Sequence, residues 1–276
     1  MSRRLAILYG AICYALFLAT FLYAIGFVTG AWVPKQIDSG ASGRWHTALA
    51  IDLGLLLLFA VQHSGMARPA FKRWWTRIVP AAVERSTYVL VSSLTLVALF
   101  WFWRPLPQTL WDIEHPGVRM VVYGTSMFGW LLVLTSTFLI NHWELFGLRQ
   151  VWRVGKPLED VLEQPFVVRA LYRIVRHPMM LGFIIAFWAV PTMSLGHLLF
   201  TVMTTAYIVL AVRCLEERDL LAQFGDTYRE YQRRVPMLLP LGAWPRRGAS
   251  QARGSDDSSS RKVRAREAPH LGPAPP

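Results

Sequence analysis

Long apolar runs separated by short polar segments dominate the chain as far as Cys214. The first run, residues 5–27, would be about 35 Å long as an α-helix, which is enough to cross a bilayer. The runs at 47–61, 87–103 and 119–140 predict three further helices of the same kind. The pattern therefore predicts an all-α integral membrane protein.

A final pair of apolar runs follows, at 179–195 and 196–214. Pro191 and Gly196 lie near their junction, and these residue types favour a tight bend, so the pair predicts a C-terminal helical hairpin. The first arm is short, and the sequence leaves open whether this pair crosses the membrane fully. The predicted number of transmembrane helices is therefore about five to six.

Beyond the hairpin, apolar and aromatic residues recur near helical spacing among charged ones. This amphipathic pattern predicts a helical cap that lies against the membrane surface or the bundle, with a bend at Gly225. The residues that carry the pattern are Leu220, Leu221, Phe224, Tyr228 and Tyr231.

Composition agrees with a membrane protein, because 54% of the 276 residues are hydrophobic and the mean hydropathy is +0.33. The net charge of +12 is spread unevenly: Lys and Arg number five in 62–86 and six in 141–178, but two each in 28–46 and 104–119. Loops rich in Lys and Arg face the cytoplasm. The alternation predicts an even number of crossings with both termini cytoplasmic, and the expected location is a bacterial inner membrane.

The chain divides into three predicted segments. Residues 1–163 form an N-terminal transmembrane bundle, 164–240 form the hairpin and its cap, and 241–276 form a disordered basic tail rich in Arg, Ser, Pro and Gly. The positive-inside bias explains the basic charge and no basic–aromatic motif accompanies it, so nucleic acid is not an expected partner. Two cysteines, Cys13 and Cys214, are too few for a disulfide framework.

Polar residues that an apolar bundle does not explain gather at the predicted cytoplasmic ends of the helices. They occur in the stretches QHSGMARPAFKRWW, NHWELFGLRQ, LYRIVRHPMML and RCLEERDLLAQFGDTYREYQRRVP. His63 and His142, in the first two stretches, are either functional or interfacial histidines with satisfied hydrogen bonds, and the sequence does not decide between these. Their spacing matches no HExxH-type pattern, so no metal site is predicted.

Both feet of the hairpin carry charged and aromatic residues, and they must be neighbours because the hairpin is short. The first foot carries Tyr172, Arg176 and His177, and the second carries Arg213, Glu216 and Glu217. Such a pocket suits a zwitterionic ligand that bears a purine, since a carboxylate binds Arg, an ammonium binds Glu and an adenine stacks on Tyr. A simple ion pair between Arg213 and Glu217, four residues apart, is the alternative. No GxGxxG follows a strand, which excludes a dinucleotide-type site.

The motif RHP at 176–178, Gly182, and EERDLLAQFGDTYREYQRRVP together resemble the signature of the isoprenylcysteine carboxyl methyltransferase and phospholipid methyltransferase superfamily. The stretches VQHSGMARPAFKRWW, NHWELFGLRQVW and LYRIVRHPMMLGF extend the likeness up to about Pro240 and are similar to the bacterial methanethiol S-methyltransferases. This resemblance implies an integral membrane enzyme that uses S-adenosyl-L-methionine, without a metal, to convert methanethiol into dimethyl sulfide.

The resemblance also implies which residues hold the methyl donor. Tyr172, His177 and Glu216 match superfamily positions at the cofactor site, and the stretch around Gln164 and Phe166 matches a wall of that site only weakly. The full predicted cofactor-binding set is Tyr172, Arg176, His177, Leu181, Gly182, Glu216 and Glu217. The predicted catalytic residues, acting as a base or as positive charge near the thiol, are His177, His142 and Arg213, with His63 as a further candidate base.

Other acceptors within the same enzyme class stay open at this point, namely sulfide, a phospholipid amine or an isoprenylcysteine carboxylate. Met180 stands where the prenylcysteine enzymes have an aromatic residue, which favours a small thiol substrate. A non-enzymatic membrane protein linked to nitrogen-oxide respiration, or a transporter, is the alternative class, and Asp52 is its main candidate residue at membrane depth. Membrane lipid is an expected partner, and no particular oligomeric state is predicted.

Overall fold

The computed structural model describes residues 2–41, 43–154 and 168–240. Among these residues, five helical segments are long and apolar enough to cross a membrane, and a shorter apolar helix joins them. The helices in chain order are α1 (Arg3–Thr29), α2 (Trp45–Ala67), α3 (Pro69–Trp75), α4 (Glu84–Phe102), α5 (Pro116–Ile140), α6 (His142–Leu145), α7 (Leu148–Trp152), α8 (Pro178–Trp188), α9 (Leu195–Ala211), α10 (Glu217–Phe224) and α11 (Asp226–Arg234). The prediction of an all-α integral membrane protein is confirmed.

Local capping sets the helix ends. The hydroxyl of Ser2 accepts the amide of Leu5 at the start of α1, and Gly30 ends this helix in the left-handed conformation that suits glycine. Each of the four predicted N-terminal helices is present. Helix α2 extends past the predicted end at residue 61 to Ala67, so that Gln62 and His63 lie within its last turns.

Contacts between distant helices show how they run relative to one another. Tyr9, near the start of α1, bonds Thr87, near the start of α4, with 3.0 Å between the oxygens. Ser64, near the end of α2, bonds Tyr207, near the end of α9, at 2.9 Å. We call the end of the bundle at which α2 ends and α4 begins the basic end. The start of α1 and the end of α9 also lie there.

A small antiparallel ribbon closes the opposite end of the bundle. Strand β1 (Thr109–Asp112), between α4 and α5, pairs with β2 (Thr192–Ser194), between α8 and α9. The amide of Ile113 also donates to the carbonyl of Pro191 at 3.0 Å. The sequence predicts no strand here, because seven residues divided between two distant segments show too little alternation of apolar and polar residues.

The first arm of the hairpin is shorter than the predicted 179–195, since α8 ends at Trp188. At 11 residues it is about 16 Å long, less than a bilayer core. Residues 189–191, between α8 and β2, are not helical. Helix α8 packs along α5, so the hairpin belongs to the same bundle as the N-terminal helices. The predicted boundary between 163 and 164, and the predicted tail at 241–276, lie outside the described residues.

Two glycines allow the close approach of α5 and α8. A β-carbon on Gly129 would lie 2.6 Å from the backbone nitrogen of Ala186, and one on Gly182 would lie 2.7 Å from the carbonyl oxygen of Gly129. The hydroxyl of Ser126 donates across the same contact to the carbonyl of Ala186 at 3.0 Å. Small residues commonly permit such backbone contact between membrane helices. Gly182, predicted to bind the cofactor, therefore has a packing role that accounts for its residue type.

Asp52 of α2 is fully buried and accepts the backbone amide of Arg104 at 2.9 Å. Arg104 lies just beyond the end of α4, so the carboxylate ties the connection after α4 to the side of α2. This contact gives Asp52 a structural function.

The glycine contact predicts a sharp difference between two substitutions in the bundle. Gly182→Ala should lower the free energy of unfolding by about 1–3 kcal/mol, because the new methyl group forces α5 and α8 apart. Gly124→Ala is the matched control, since nothing lies within 4 Å of a β-carbon at Gly124. Thermal unfolding in detergent micelles measures both, and equal stability of the two variants would contradict the close packing.

Candidate active site

A π-helical turn, Val212–Glu216, links α9 to α10 at the basic end. Single π turns within α-helices are uncommon and frequently occur at functional sites. Neighbouring residues on an α-helix point about 100° apart, which makes it hard for two consecutive side chains to meet one group. Here the turn brings both Glu216 and Glu217 to the imidazole of His177.

His177 lies between these two carboxylates at the start of α8. Its Nδ1 is 3.4 Å from Oε2 of Glu216, and its Nε2 is 3.3 Å from Oε1 of Glu217. The residue is 5% exposed, and its backbone amide donates to the carbonyl of Met237 at 3.1 Å. Pro178, in the first turn of α8, fixes the entry of the chain into the helix. The two feet of the hairpin therefore meet, as the sequence predicts.

Glu217 and Arg176 form the centre of a set of contacts that we call the clasp, which consists of Arg176, His177, Glu217 and Gln232. Oε1 of Glu217 is 2.8 Å from a guanidinium nitrogen of Arg176, and its Oε2 accepts the side-chain amide of Gln232 at 3.0 Å. Arg176 also donates to the carbonyls of Gln232 and Val235, at 2.8 and 3.0 Å. The clasp therefore fixes α11 over the start of α8.

Glu216 differs from Glu217 in its environment. Its side chain is 45% exposed, compared with 12% for Glu217, and its described contact is with His177. A carboxylate can accept about four hydrogen bonds. Glu216 is therefore the acidic side chain of the pair with capacity to accept donors from a ligand.

Tyr172 lies beside the clasp in the short 3₁₀ turn Ala170–Arg173. Its carbonyl accepts the hydroxyl of Tyr231 at 2.6 Å, which ties this turn to α11. Burial and the negative charge of Glu216 raise the pKa of the Tyr172 phenol, so it stays neutral. An apolar cluster around Tyr228, Tyr231 and Val235 packs under the cap, which is bent at Gly225 as predicted.

The remaining predicted residues are less closely associated with the clasp. Leu181 is half-buried on the first turn of α8, where its amide donates to the carbonyl of His177 at 3.1 Å. Arg213 is exposed on the π turn, and its guanidinium has no hydrogen bond or ion pair to the described part of the chain. The alternative ion pair between Arg213 and Glu217 is not formed, since the clasp supplies the contacts of Glu217.

His142 occupies a separate site among aromatic residues of α1, α5 and α6. Its Nε2 is 2.8 Å from the hydroxyl of Tyr14, and its Nδ1 is 2.8 Å from the hydroxyl of Thr137. The ring also stacks on Phe138 with 4.1 Å between the centroids. Burial lowers the pKa of His142, so it is neutral. Both nitrogens are occupied by short hydrogen bonds that join α1 to α5, and none of the described contacts joins His142 to the clasp.

Gln232 is a member of the clasp that the sequence analysis misses. It lies four residues after Tyr228 and therefore on the same face of α11, so a polar side chain continues an otherwise aromatic stripe. This polar residue within the aromatic stripe is the feature of the sequence from which the position of Gln232 could have been predicted. The stretch around Gln164 and Phe166 lies outside the described residues. Among those described, no group of three or more His, Cys, Asp or Glu side chains is arranged to hold a metal ion.

The contacts of His177 predict a pH-dependent stability of the cap. Burial by itself lowers the pKa of His177, but the hydrogen bonds and charges of Glu216 and Glu217 outweigh burial and raise that pKa above 6.5. The resulting stabilisation is fully present below pH 6.5 and is lost as the pH rises through the raised value.

As the pH rises above 6.5, the melting temperature of the parent chain in micelles should therefore decline, and that of His177→Gln should change much less. An identical pH slope in the two proteins would contradict this assignment.

The fold and the clasp define a class of protein: a polytopic helical membrane protein with a charged site, closed by a helical cap, at one end of its bundle. The profile of the NnrU protein family matches residues 53–244. A methanethiol S-methyltransferase of Mycobacterium tuberculosis is 53% identical over 90% of this chain and 99% of the relative. The chain belongs to the NnrU protein family and to the methanethiol S-methyltransferase family.

Further relatives extend this comparison. The methanethiol S-methyltransferase 1 of Bradyrhizobium diazoefficiens is 53% identical, covering 86% of this chain and 82% of the relative. Nurim of Sus scrofa is 34% identical over 62% of this chain and 68% of its own length. No solved structure matches the chain significantly.

Proposed function

We propose that this chain is a methyltransferase that uses S-adenosyl-L-methionine to convert methanethiol into dimethyl sulfide. The observation that carries the proposal is the 53% identity to a relative of that name, which this chain covers over 99% of its length. The geometry at the two feet of the hairpin agrees with it, because a half-exposed carboxylate and a neutral tyrosine adjoin there.

The residues at the clasp fit a donor that bears positive charge and an adenine ring. Glu216 can accept the donor's ammonium group, and Tyr172 offers an aromatic surface to the adenine. Arg176 and Glu217 act as positioning residues, because their mutual ion pair and the bond to Gln232 hold Glu216 and the cap in place. Leu181 and Gly182 belong to the turn of α8 that follows His177.

The chain's own residues align the reactants and exclude water. When bound, S-adenosyl-L-methionine supplies an electrophilic methyl group, to which the thiolate sulfur bonds as the carbon–sulfonium bond breaks, so that two neutral thioethers are formed. The side chains of Arg176, His177 and Glu217 are nearly enclosed by protein, which excludes water from their contacts. We assign His177 to holding the two carboxylates, since both of its nitrogens face them. The proton of the thiol must therefore go to another group.

The alternative classes have less support. A transporter requires a polar path through the bilayer, but Asp52 is fully buried and its Oδ1 accepts the amide of Arg104. The relatives named above favour a thiol acceptor over a lipid amine or a prenylcysteine carboxylate. We also propose that the basic end faces the cytoplasm of a bacterial inner membrane, because Arg68, Lys72 and Arg85 gather there.

Membranes that contain the chain should form dimethyl sulfide when supplied with methanethiol and S-adenosyl-L-methionine. Headspace gas chromatography measures the product, with sulfide and phospholipid amines as competing acceptors. Methylation of a lipid amine without any dimethyl sulfide would overturn the proposed acceptor. The absence of both product and donor binding would overturn the enzymatic function.

Glu216→Gln should weaken the binding of S-adenosyl-L-methionine by about 10- to 100-fold, because a hydrogen bond between charged groups contributes about 1.5–3 kcal/mol. Glu230→Gln is the matched control: Glu230 is 44% exposed, close to the 45% of Glu216, but pairs with Arg233 and Arg234 on α11. Equilibrium binding of labelled donor to purified protein measures both. Similar affinities in the two variants would contradict the role of Glu216.

A further inference from the structure

A second set of polar side chains lies inside the bundle, about one to two turns from the basic end. We call it the inner polar cluster. It consists of Gln62, His63 and Ser64 on α2, Tyr88 and Ser92 on α4, and Tyr207 on α9. His63 connects the helices, with its Nδ1 3.3 Å from the hydroxyl of Ser92 and its Nε2 3.1 Å from the hydroxyl of Tyr88. Polar side chains within membrane helices are costly and commonly functional.

The hydrogen bonds of His63 differ from those of His142. His142 has two hydroxyl partners, each at 2.8 Å. Around His63 the distances are 3.1 to 3.3 Å, and the hydroxyl of Tyr88 is equally near to both ring nitrogens, although it can bond only one of them at a time. Catalytic hydrogen bonds are often long before the substrate binds, so these distances are compatible with a catalytic role.

The cluster also contains a hydrogen-bond acceptor that has no partner among the described residues. The side-chain oxygen of Gln62 is buried without a hydrogen-bond partner among the described residues, while its nitrogen bonds Ser92 at 3.2 Å. A buried acceptor without a partner is unfavourable by about 1–3 kcal/mol. Gln62 and His63 are half-buried, so part of each side chain reaches the outside of the bundle, while the oxygen of Gln62 itself is enclosed. A small molecule that donates a hydrogen bond would satisfy the oxygen of Gln62.

Two basic side chains adjoin the cluster at the basic end. The guanidinium of Arg85 lies 5.5 Å from the ring centroid of Tyr88, and Arg68, which is paired with Asp219, donates to the carbonyl of Ser64 at 3.3 Å. Positive charge in a partly dry environment favours the ionised form of an acidic ligand. The surroundings therefore suit a group that becomes an anion.

The same face of α2 leads from the cluster to the clasp. Ser64 bonds Tyr207 of α9, and four residues later Arg68 forms an ion pair with Asp219 of α10 at 3.0 Å. Tyr207 and Glu216 lie nine residues apart on one continuous helical segment, which corresponds to about 13 Å. The two polar sites are thus neighbouring layers of one interface between helices.

We propose that the inner polar cluster is the binding site for the small thiol, and that His63 accepts the proton of the thiol. This inference rests on the proposed function. The S–H bond breaks, its proton moves to a ring nitrogen of His63, and its electron pair stays on sulfur as the thiolate. The thiol first donates its S–H to the oxygen of Gln62 and then turns the S–H to His63 for the transfer, and Tyr88 donates a hydrogen bond to the thiolate sulfur that results. A small apolar thiol partitions into lipid and can enter between the helices.

Binding of the thiol gives the first test. Isotope-labelled methanethiol is titrated against purified protein in micelles with S-adenosylhomocysteine present, and NMR follows the bound methyl signal. Tyr88→Phe should weaken this binding by about tenfold or more, because it removes the hydroxyl that faces the thiolate. Tyr14→Phe is the matched control, since it also removes one tyrosine hydroxyl from a buried histidine, and it should leave binding unchanged.

The pH dependence of turnover gives the second test. At pH 7, His63→Gln should lower kcat/KM for methanethiol by about 100-fold, with recovery as the pH rises toward the thiol's own pKa. Affinity for S-adenosyl-L-methionine should stay unchanged. The charged and titratable groups around His63 include Tyr88 and Arg85 on α4, Tyr207 on α9, and Arg68 just past the end of α2 with its partner Asp219 on α10. Tyr88→Phe should lack the recovery at high pH, which separates the roles of the two residues.

The outcomes separate this inference from the proposed function. Binding of methanethiol that is lost in Tyr88→Phe but kept in Tyr14→Phe supports the site, even in a protein that forms no dimethyl sulfide. No binding by the parent chain, or equal binding by both variants, overturns it. A parent-like pH profile in His63→Gln overturns the assignment of His63 as the base.

Discussion

Charge compensation around Glu217 organises the basic end of this molecule. A carboxylate that is nearly enclosed by protein is stable only when neighbouring groups supply positive charge and hydrogen-bond donors. Arg176, His177 and Gln232 supply them from two separate segments, the start of α8 and helix α11. Removing Arg176 or Glu217 alone would leave the charge of the other partner uncompensated. This requirement holds the cap in place, brings the feet of the hairpin together and leaves Glu216 facing outward.

The result is a division of labour between consecutive residues. Both oxygens of Glu217 are occupied by protein donors, so this residue stabilises the fold. Glu216 has an accessible carboxylate that could accept hydrogen bonds from a ligand. The π turn makes this possible, because it lets two neighbouring side chains meet one imidazole. The motif of two adjacent glutamates thus contains one enclosed and one accessible carboxylate, a distinction that their identical chemistry conceals.

The bundle places two polar layers at different depths of one helix interface. The clasp lies at the surface of the basic end, where a charged donor can arrive from water. The inner polar cluster lies deeper, between α2, α4 and α9, where a small apolar thiol can arrive from lipid. In the proposed reaction, the two reactants therefore approach α9 from different sides. Asp52, at the other end of α2, takes no part in either layer.

The sequence by itself determined the membrane helices, the hairpin, the bent cap and the meeting of its two feet, because apolar run length and helical period are local properties. The sequence also indicated the protein family, through the spacing between the RHP motif and the paired glutamates. Only the tertiary structure decided which groups surround each histidine. His142 is bound by two short hydrogen bonds, His177 lies between carboxylates, and His63 shares a loose network. Their partners come from helices far away in the chain, and no local pattern of residues encodes such contacts.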